Sequence, residues 1–156
     1  MSKLSTTTPV HEVMTRAPIV VAPATTIGDL MALFDRHQFN AFPITDARGV
    51  LRGIVTKLDV LRMYRPDENL QIPDSQTLRS RRVADIMRRG VVSVEPADPV
   101  VVAAELMVET RLRSLPVVQR KSAGPVLVGM VSQGDLLRGL RFELVEHAGS
   151  APEGEQ

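Results

Sequence analysis

The chain has 156 residues, 44% hydrophobic and 24% charged, with a formal net charge of +1, which suits one globular domain with a sizeable core rather than a disordered chain. It has no cysteine, which excludes disulfides, thiolate catalysis and zinc–cysteine sites and is compatible with a reducing, cytoplasmic setting. Balanced charge and only 3% aromatics offer nucleic acid neither a field nor stacking platforms, and no apolar run approaches the ~20 residues of a membrane span or forms the core of a signal peptide.

Met1 to Pro9 is small and polar, and loose on composition. Val10-His11-Glu12-Val13-Met14-Thr15 begins ordered structure as one short helical turn. Ile19-Val20-Val21 reads as a strand between Pro18 and Pro23. Thr25 or Thr26 can cap the helix that follows, in which Ile27, Leu30, Met31 and Phe34 share one apolar face. Phe42-Pro43-Ile44 is a second strand, Asp46-Ala47-Arg48-Gly49 a turn with Gly49 available for a positive φ, Val50–Thr56 a third strand and Lys57–Arg65 a second helix ended by Pro66. Residues 66–82 are polar, lack a sustained period and read as a linker between halves. The linker ends in Arg79, Arg81 and Arg82, with Arg88 and Arg89 beyond, either a solvated charge cluster or an anion-attracting rim.

The second half repeats the first. Val83-Ala84-Asp85-Ile86-Met87-Arg88 matches Val10 to Thr15, and in the same register Pro96 meets Pro23, Val100 meets Ile27, Met107 meets Phe34, Leu115 meets Phe42 and Pro116 meets Pro43. The spacing then grows by three residues, expected in the hairpin turn near Arg120-Lys121-Ser122-Ala123-Gly124-Pro125, since turns tolerate changes of length. The boundaries are a flexible start (1–9), a first repeat (10–65), the linker (66–82), a second repeat (83–144) and a small, acidic, disordered tail (145–156). Each half reads strand, helix, two-stranded hairpin, helix. One half alone has difficulty burying both its helices and its sheet, so the expected fold class is α/β (α+β), two pseudo-symmetric β-α-β-β-α repeats packed sheet to sheet.

The most pointed signal is the stretch Gly53-Ile54-Val55-Thr56-Lys57-Leu58-Asp59-Val60-Leu61, which returns as Gly129-Met130-Val131-Ser132-Gln133-Gly134-Asp135-Leu136-Leu137. A strand hands over to a helix, a hydroxyl (Thr56, Ser132) stands at the N-cap and an aspartate (Asp59, Asp135) follows three residues on. Singly, each copy is a capping box. A helix N-terminus also presents free N–H groups and a positive dipole end suited to phosphate, so cap and ligand site can be the same residues, and two equivalent copies strengthen that reading.

These stretches, with Val13-Met14-Thr15 and Ile86-Met87-Arg88, Pro23 and Pro96, and Phe42-Pro43-Ile44 and Leu115-Pro116-Val117, make the chain from about Val10 to Arg141 resemble the tandem cystathionine-β-synthase (CBS) domain pair, or Bateman module. The resemblance implies ligand sites in two clefts between the repeats, taking AMP, ADP or ATP and sometimes S-adenosylmethionine derivatives, with no obligatory cofactor. It implies a ribose-binding carboxylate at Asp59 and Asp135, a phosphate-facing hydroxyl at Thr56 and Ser132, and an apolar side of the base pocket at Ile54 and Met130. Each site borrows from the other repeat: Thr15, Ile19 and Val20 for the Asp135 site, and Arg88, Val92 and Ser93 for the Asp59 site. The position that often carries a basic phosphate contact holds Asn40 in the first repeat and Arg113 in the second, so the Asp135 site is the better provided of the two.

His11, His37 and His147 lack the spacing of a metal site, and no nucleophile elbow or phosphate loop of the Walker type occurs. Met14, Met31, Met87, Met107 and Met130 lie on apolar faces as core filling. The expectation is a non-catalytic regulatory module, a homodimer through the helices bearing Val60-Leu61 and Leu136-Leu137, acting in trans on an effector protein. Its rival is an interaction scaffold of the same fold without a ligand, in which both hydroxyl–aspartate pairs serve as caps only. A nucleic-acid binder using Arg79–Arg89 is disfavoured by charge balance and the scarcity of aromatics.

Overall fold

The computed structural model describes residues 7–148, and side-chain surroundings as far as residue 140. The expectations for residues 1–6 and 149–156 lie outside the described residues. Helices and short strands alternate in an α+β chain, which divides into two compact units.

One unit gathers Pro18–Val91 with Val118–Leu127. Its first helix, α1 (Ile27–Arg36), starts at Thr26, whose side-chain oxygen accepts from the Asp29 N–H at 3.2 Å, while Asp29 itself complements the helix dipole. Ile27 and Leu30 are wholly buried, and Met31 and Phe34 pack beside them. Strands β2 (Ala41–Thr45) and β3 (Leu51–Thr56) form an antiparallel hairpin with Ala41 opposite Thr56 and Pro43 opposite Ile54. Gly49 turns it with a φ of +79°, a conformation that L side chains rarely adopt. Helix α2 (Lys57–Met63) follows β3 directly. The core is Val21, Ile27, Leu30, Phe42, Ile44, Val55, Val60 and Val83.

The stretch expected as a linker carries a helix, α3 (Ser75–Ser80), capped by Asp74, which accepts from the Thr77 N–H at 3.1 Å. Its one buried residue is Leu78, and the Ile27 N–H reaches the Arg81 carbonyl just after it at 2.8 Å. A single apolar anchor in six residues leaves no period to read. The strand expected at Ile19–Val21 shrinks to one parallel bridge, Val21 to Ile44, in which the Val21 N–H reaches the Pro43 carbonyl at 3.0 Å. Pro18 and Pro23 supply no donor on either side, and Ile19 and Val20 stay exposed.

The other unit gathers the chain through Ala17, Val92–Val117, and the chain from Val128 on. A 3-10 turn at Val10–Glu12 leads to β1 (Thr15–Arg16), which pairs antiparallel with β5 (Gly124–Ser132), Thr15 opposite Met130. Strand β4 (Ser114–Lys121) completes the order β1-β5-β4. Helix α4 (Val100–Thr110) precedes β4 and α5 (Gln133–Ala148) follows β5, running past Leu144, the expected end of the second repeat. Thr8 and Pro9, expected to be loose, are held: the Thr8 carbonyl accepts from Val100 at 2.8 Å and Pro9 bridges Pro99. The core is Val10, Val94, Val100, Ala103, Met107, Leu115, Val117, Val131 and Leu136. Val94 bridges Val117 as Val21 bridges Ile44. The additional hairpin residues lengthen the strands: Arg120 and Lys121 belong to β4 and Gly124 and Pro125 to β5, leaving Ser122 and Ala123 at the turn.

Val60 and Leu136, expected at an interface, belong to the two cores, whereas Leu61 and Leu137 are 64% and 61% exposed. On an α-helix, adjacent residues face different sides.

Candidate functional site

In the Pro18–Val91 unit, β3 delivers Ile54 and Thr56 to the head of α2. The Asp59 carboxylate, 5% exposed, folds back on the cap. Its Oδ2 accepts from the Thr56 N–H at 2.8 Å and from the Thr56 hydroxyl at 2.9 Å, while the Asp59 N–H donates to Thr56 Oγ1 at 3.2 Å. The other oxygen, Oδ1, meets Arg88 Nε at 3.0 Å and Arg62 Nη1 at 3.5 Å. Arg88 is held by its backbone: its N–H donates to the Ile54 carbonyl at 2.9 Å and its carbonyl accepts from the Ile54 N–H at 3.0 Å. Gly53 permits this approach, since a Cβ there would lie 2.8 Å from the Arg88 carbonyl oxygen. The Asn40 carbonyl accepts from the Lys57 N–H at 3.1 Å.

The other unit builds the same frame from equivalent residues. Asp135, 7% exposed, accepts through Oδ2 from the Ser132 N–H at 2.8 Å, and the Asp135 N–H donates to Ser132 Oγ at 3.1 Å. Thr15 stands opposite Met130, as Arg88 bridges Ile54, and the Arg113 carbonyl accepts from the Gln133 N–H at 3.0 Å, as that of Asn40 does from Lys57. Gly129 permits the approach of β1: a Cβ there would lie 2.7 Å from Met14 Sδ. Asp135 Oδ1 pairs with Arg138, one helical turn on.

Ile54, Thr56, Asp59, Arg88 and the Asn40 backbone are thus brought together at one helix head, and Thr15, Met130, Ser132, Asp135 and the Arg113 backbone at the other. Ile19 and Val20 belong to the unit that holds Asp59, and Val92 and Ser93 to the unit that holds Asp135. Arg62 and Arg138 escaped the sequence reading, though each stands three residues after its aspartate, a spacing at which helical side chains meet. Among the described residues no group of His, Asp and Glu could hold a metal ion, and no helix is long and apolar enough to cross a membrane.

The sequence model of the CBS domain matches the chain twice, at residues 10–65 and 83–141. The chain belongs to the CBS domain family. A CBS domain-containing protein of Dictyostelium discoideum is 32% identical over 133 residues, 82% of this chain and 88% of its relative. The CBS domain-containing protein YhcV of Bacillus subtilis is 31% identical over 128 residues, 81% of each chain. Among solved structures, CBSX2 in complex with AMP superposes with a TM-score of 0.71 at 28% identity, over 86% of this chain and 96% of that one. The two matched CBS segments carry the two helix heads, one in each segment.

Proposed function

We propose that this CBS pair is a non-catalytic regulatory module that binds adenine nucleotides, AMP, ADP or ATP, at the Asp135 and Asp59 helix heads. The observation that carries the reading is the duplicated frame: in each copy a buried carboxylate lies beside a hydroxyl N-cap and a backbone segment of the other repeat that bridges the preceding strand. An ionised carboxylate can accept from two ribose hydroxyls, and the helix N-terminus favours a phosphate. The AMP-bound relative CBSX2 supports adenine nucleotide as the ligand class. Arg113 favours the Asp135 head for a phosphate-bearing ligand. Nucleotide shifts the chain toward whichever conformation it binds better, to the extent of that difference in affinity. The signal then passes to an effector protein in trans. The exposed Leu58, Leu61 and Leu137 suit an isologous homodimer through α2 and α5.

A melting-temperature screen with AMP, ADP, ATP, GTP and S-adenosylmethionine tests the reading. Saturating adenine nucleotide should raise the melting temperature in proportion to RT ln(1 + [L]/Kd), with GTP without effect. One observation favours a scaffold without ligand: both Oδ2 atoms are already engaged by the helix caps. No shift with any of the five compounds selects the scaffold.

A further inference from the structure

The two carboxylates have different neighbours at the oxygen that the caps leave over. At Asp135 that oxygen meets only the arginine one turn along its own helix, among the described residues. At Asp59 it meets the corresponding Arg62 and, closer, the Nε of Arg88, from a segment 29 positions away in sequence. In the repeat register Arg88 corresponds to Thr15, whose side chain is too short and uncharged to do the same. The Arg88 side chain is 46% exposed while Asp59 is 5% exposed, so the guanidinium lies over the buried carboxylate from its solvent side.

Building on the nucleotide reading, we propose that Arg88 is the specificity-determining residue of the Asp59 site. In the ligand-free chain its guanidinium occupies the oxygen that ribose hydroxyls would use, so a ligand enters by displacing it. A nucleoside offers the displaced cation nothing in return. A nucleoside phosphate offers an anion, two of whose oxygens the planar guanidinium grips through paired N–H donors. The Asp59 site therefore takes phosphorylated adenosines and rejects adenosine, whereas the Asp135 site, with Thr15 in place of Arg88, lacks that filter.

Substituting Arg88→Thr removes the side chain but keeps the backbone ladder to Ile54, and the Thr15–Met130 pair shows that threonine fits this register. Calorimetric titrations of AMP and of adenosine into the full chain, R88T and the double variant R88T/D59N test the proposal, with a melt of each protein as a folding check. In the unsubstituted chain the Asp59 site should bind AMP and not adenosine. In R88T, adenosine affinity at that site should rise about ten- to a hundredfold, the scale of one charge-assisted hydrogen bond. The ratio of AMP to adenosine affinity should fall, and the gain should vanish in R88T/D59N. Unchanged adenosine affinity in R88T, or a gain that survives D59N, overturns the role of Arg88 while leaving Asp135 as a nucleotide site. Absence of binding by both ligands to all three proteins overturns the nucleotide reading itself and this inference with it.

Discussion

Val10 and Val83 occupy matching positions of the two repeats, and each is wholly buried in the core built by the other repeat: Val10 among Val100, Leu115 and Val131, Val83 among Ile27, Phe42 and Val55. The opening turn of each repeat is thus exchanged. Residues that look like the start of one half complete the hydrophobic core of the other.

Val10→Ala and Val83→Ala should each lower the free energy of unfolding by roughly 1.5–3 kcal/mol, from lost burial and the small cavity left. Urea melts of both variants check this. A change within about 0.5 kcal/mol, as expected of a surface substitution, would remove these residues from the cores.

The glycines that admit the neighbouring backbone should resist substitution in both repeats. Gly53→Ala drives a methyl against Met87 and the Arg88 carbonyl, and Gly129→Ala against Met14 and the Thr15 carbonyl, each expected to cost roughly 1–3 kcal/mol. Gly90→Ala, where a Cβ meets nothing within 4 Å, is the control and should fall within about 0.5 kcal/mol of the parent. Thermal melts of the three variants decide the point.

The turn before β3 has its own titration. Arg52 donates to Asp46 Oδ2 at 3.0 and 2.6 Å, and the Val50 and Arg48 N–H groups donate to Oδ1. These bonds, that of Arg52 foremost, hold the Asp46 carboxyl below its ordinary value. A depressed folded-state pKa stabilises the fold above the unfolded value near 3.8 and loses that contribution as pH falls through the folded value. Arg52→Ala should move the Asp46 titration, followed by carboxyl NMR, upward toward the ordinary range. An unmoved titration would mean that the pair does not persist in solution.

The exposed leucines on α2 and α5 give a test of assembly. Leu61→Glu with Leu137→Glu, both outside the cores, should convert a dimer at micromolar concentration to monomer by light scattering while leaving the melt of the monomer unit in place. A parent chain that is already monomeric would set the dimer aside.

Much of this was legible in the sequence because it is periodic or local. Phe42 and Leu115, or Thr56 and Ser132, fall into register by counting, and a hydroxyl three residues before an acid marks a helix head without reference to anything distant. The exchange of Val10 and Val83 was not legible, since a repeat shows which positions are equivalent and not which copy each one packs against. Helix α3 was hidden for a different reason: Leu78 is its one buried residue, and what marks it otherwise is the Asp74 cap and the bond from the Ile27 N–H to the Arg81 carbonyl. The family resemblance brings Arg88 to the Asp59 site but not its ion pair with the carboxylate, since the two residues are far apart in sequence and an exposed arginine near other arginines carries no local sign of its partner. Ile19–Val21 reads as a strand because β-branched residues favour one, but prolines on both sides withhold the donors of a ladder and a single bridge from Val21 remains.

On the proposed reading, the two buried aspartates receive adenine nucleotide and do more than cap their helices. Calorimetric titration of AMP into the parent chain, Asp135→Ala and Asp59→Ala, each with a ligand-free melt, tests it most directly. Loss of a charge-assisted hydrogen bond of roughly 1.5–3 kcal/mol predicts an affinity about ten- to a hundredfold weaker for Asp135→Ala, and a smaller overall loss for Asp59→Ala. The melts should fall by no more than the loss of a cap, up to about 2 kcal/mol. Unchanged AMP affinity in both variants, with both melting temperatures lowered, would contradict the account and leave the aspartates as helix caps alone.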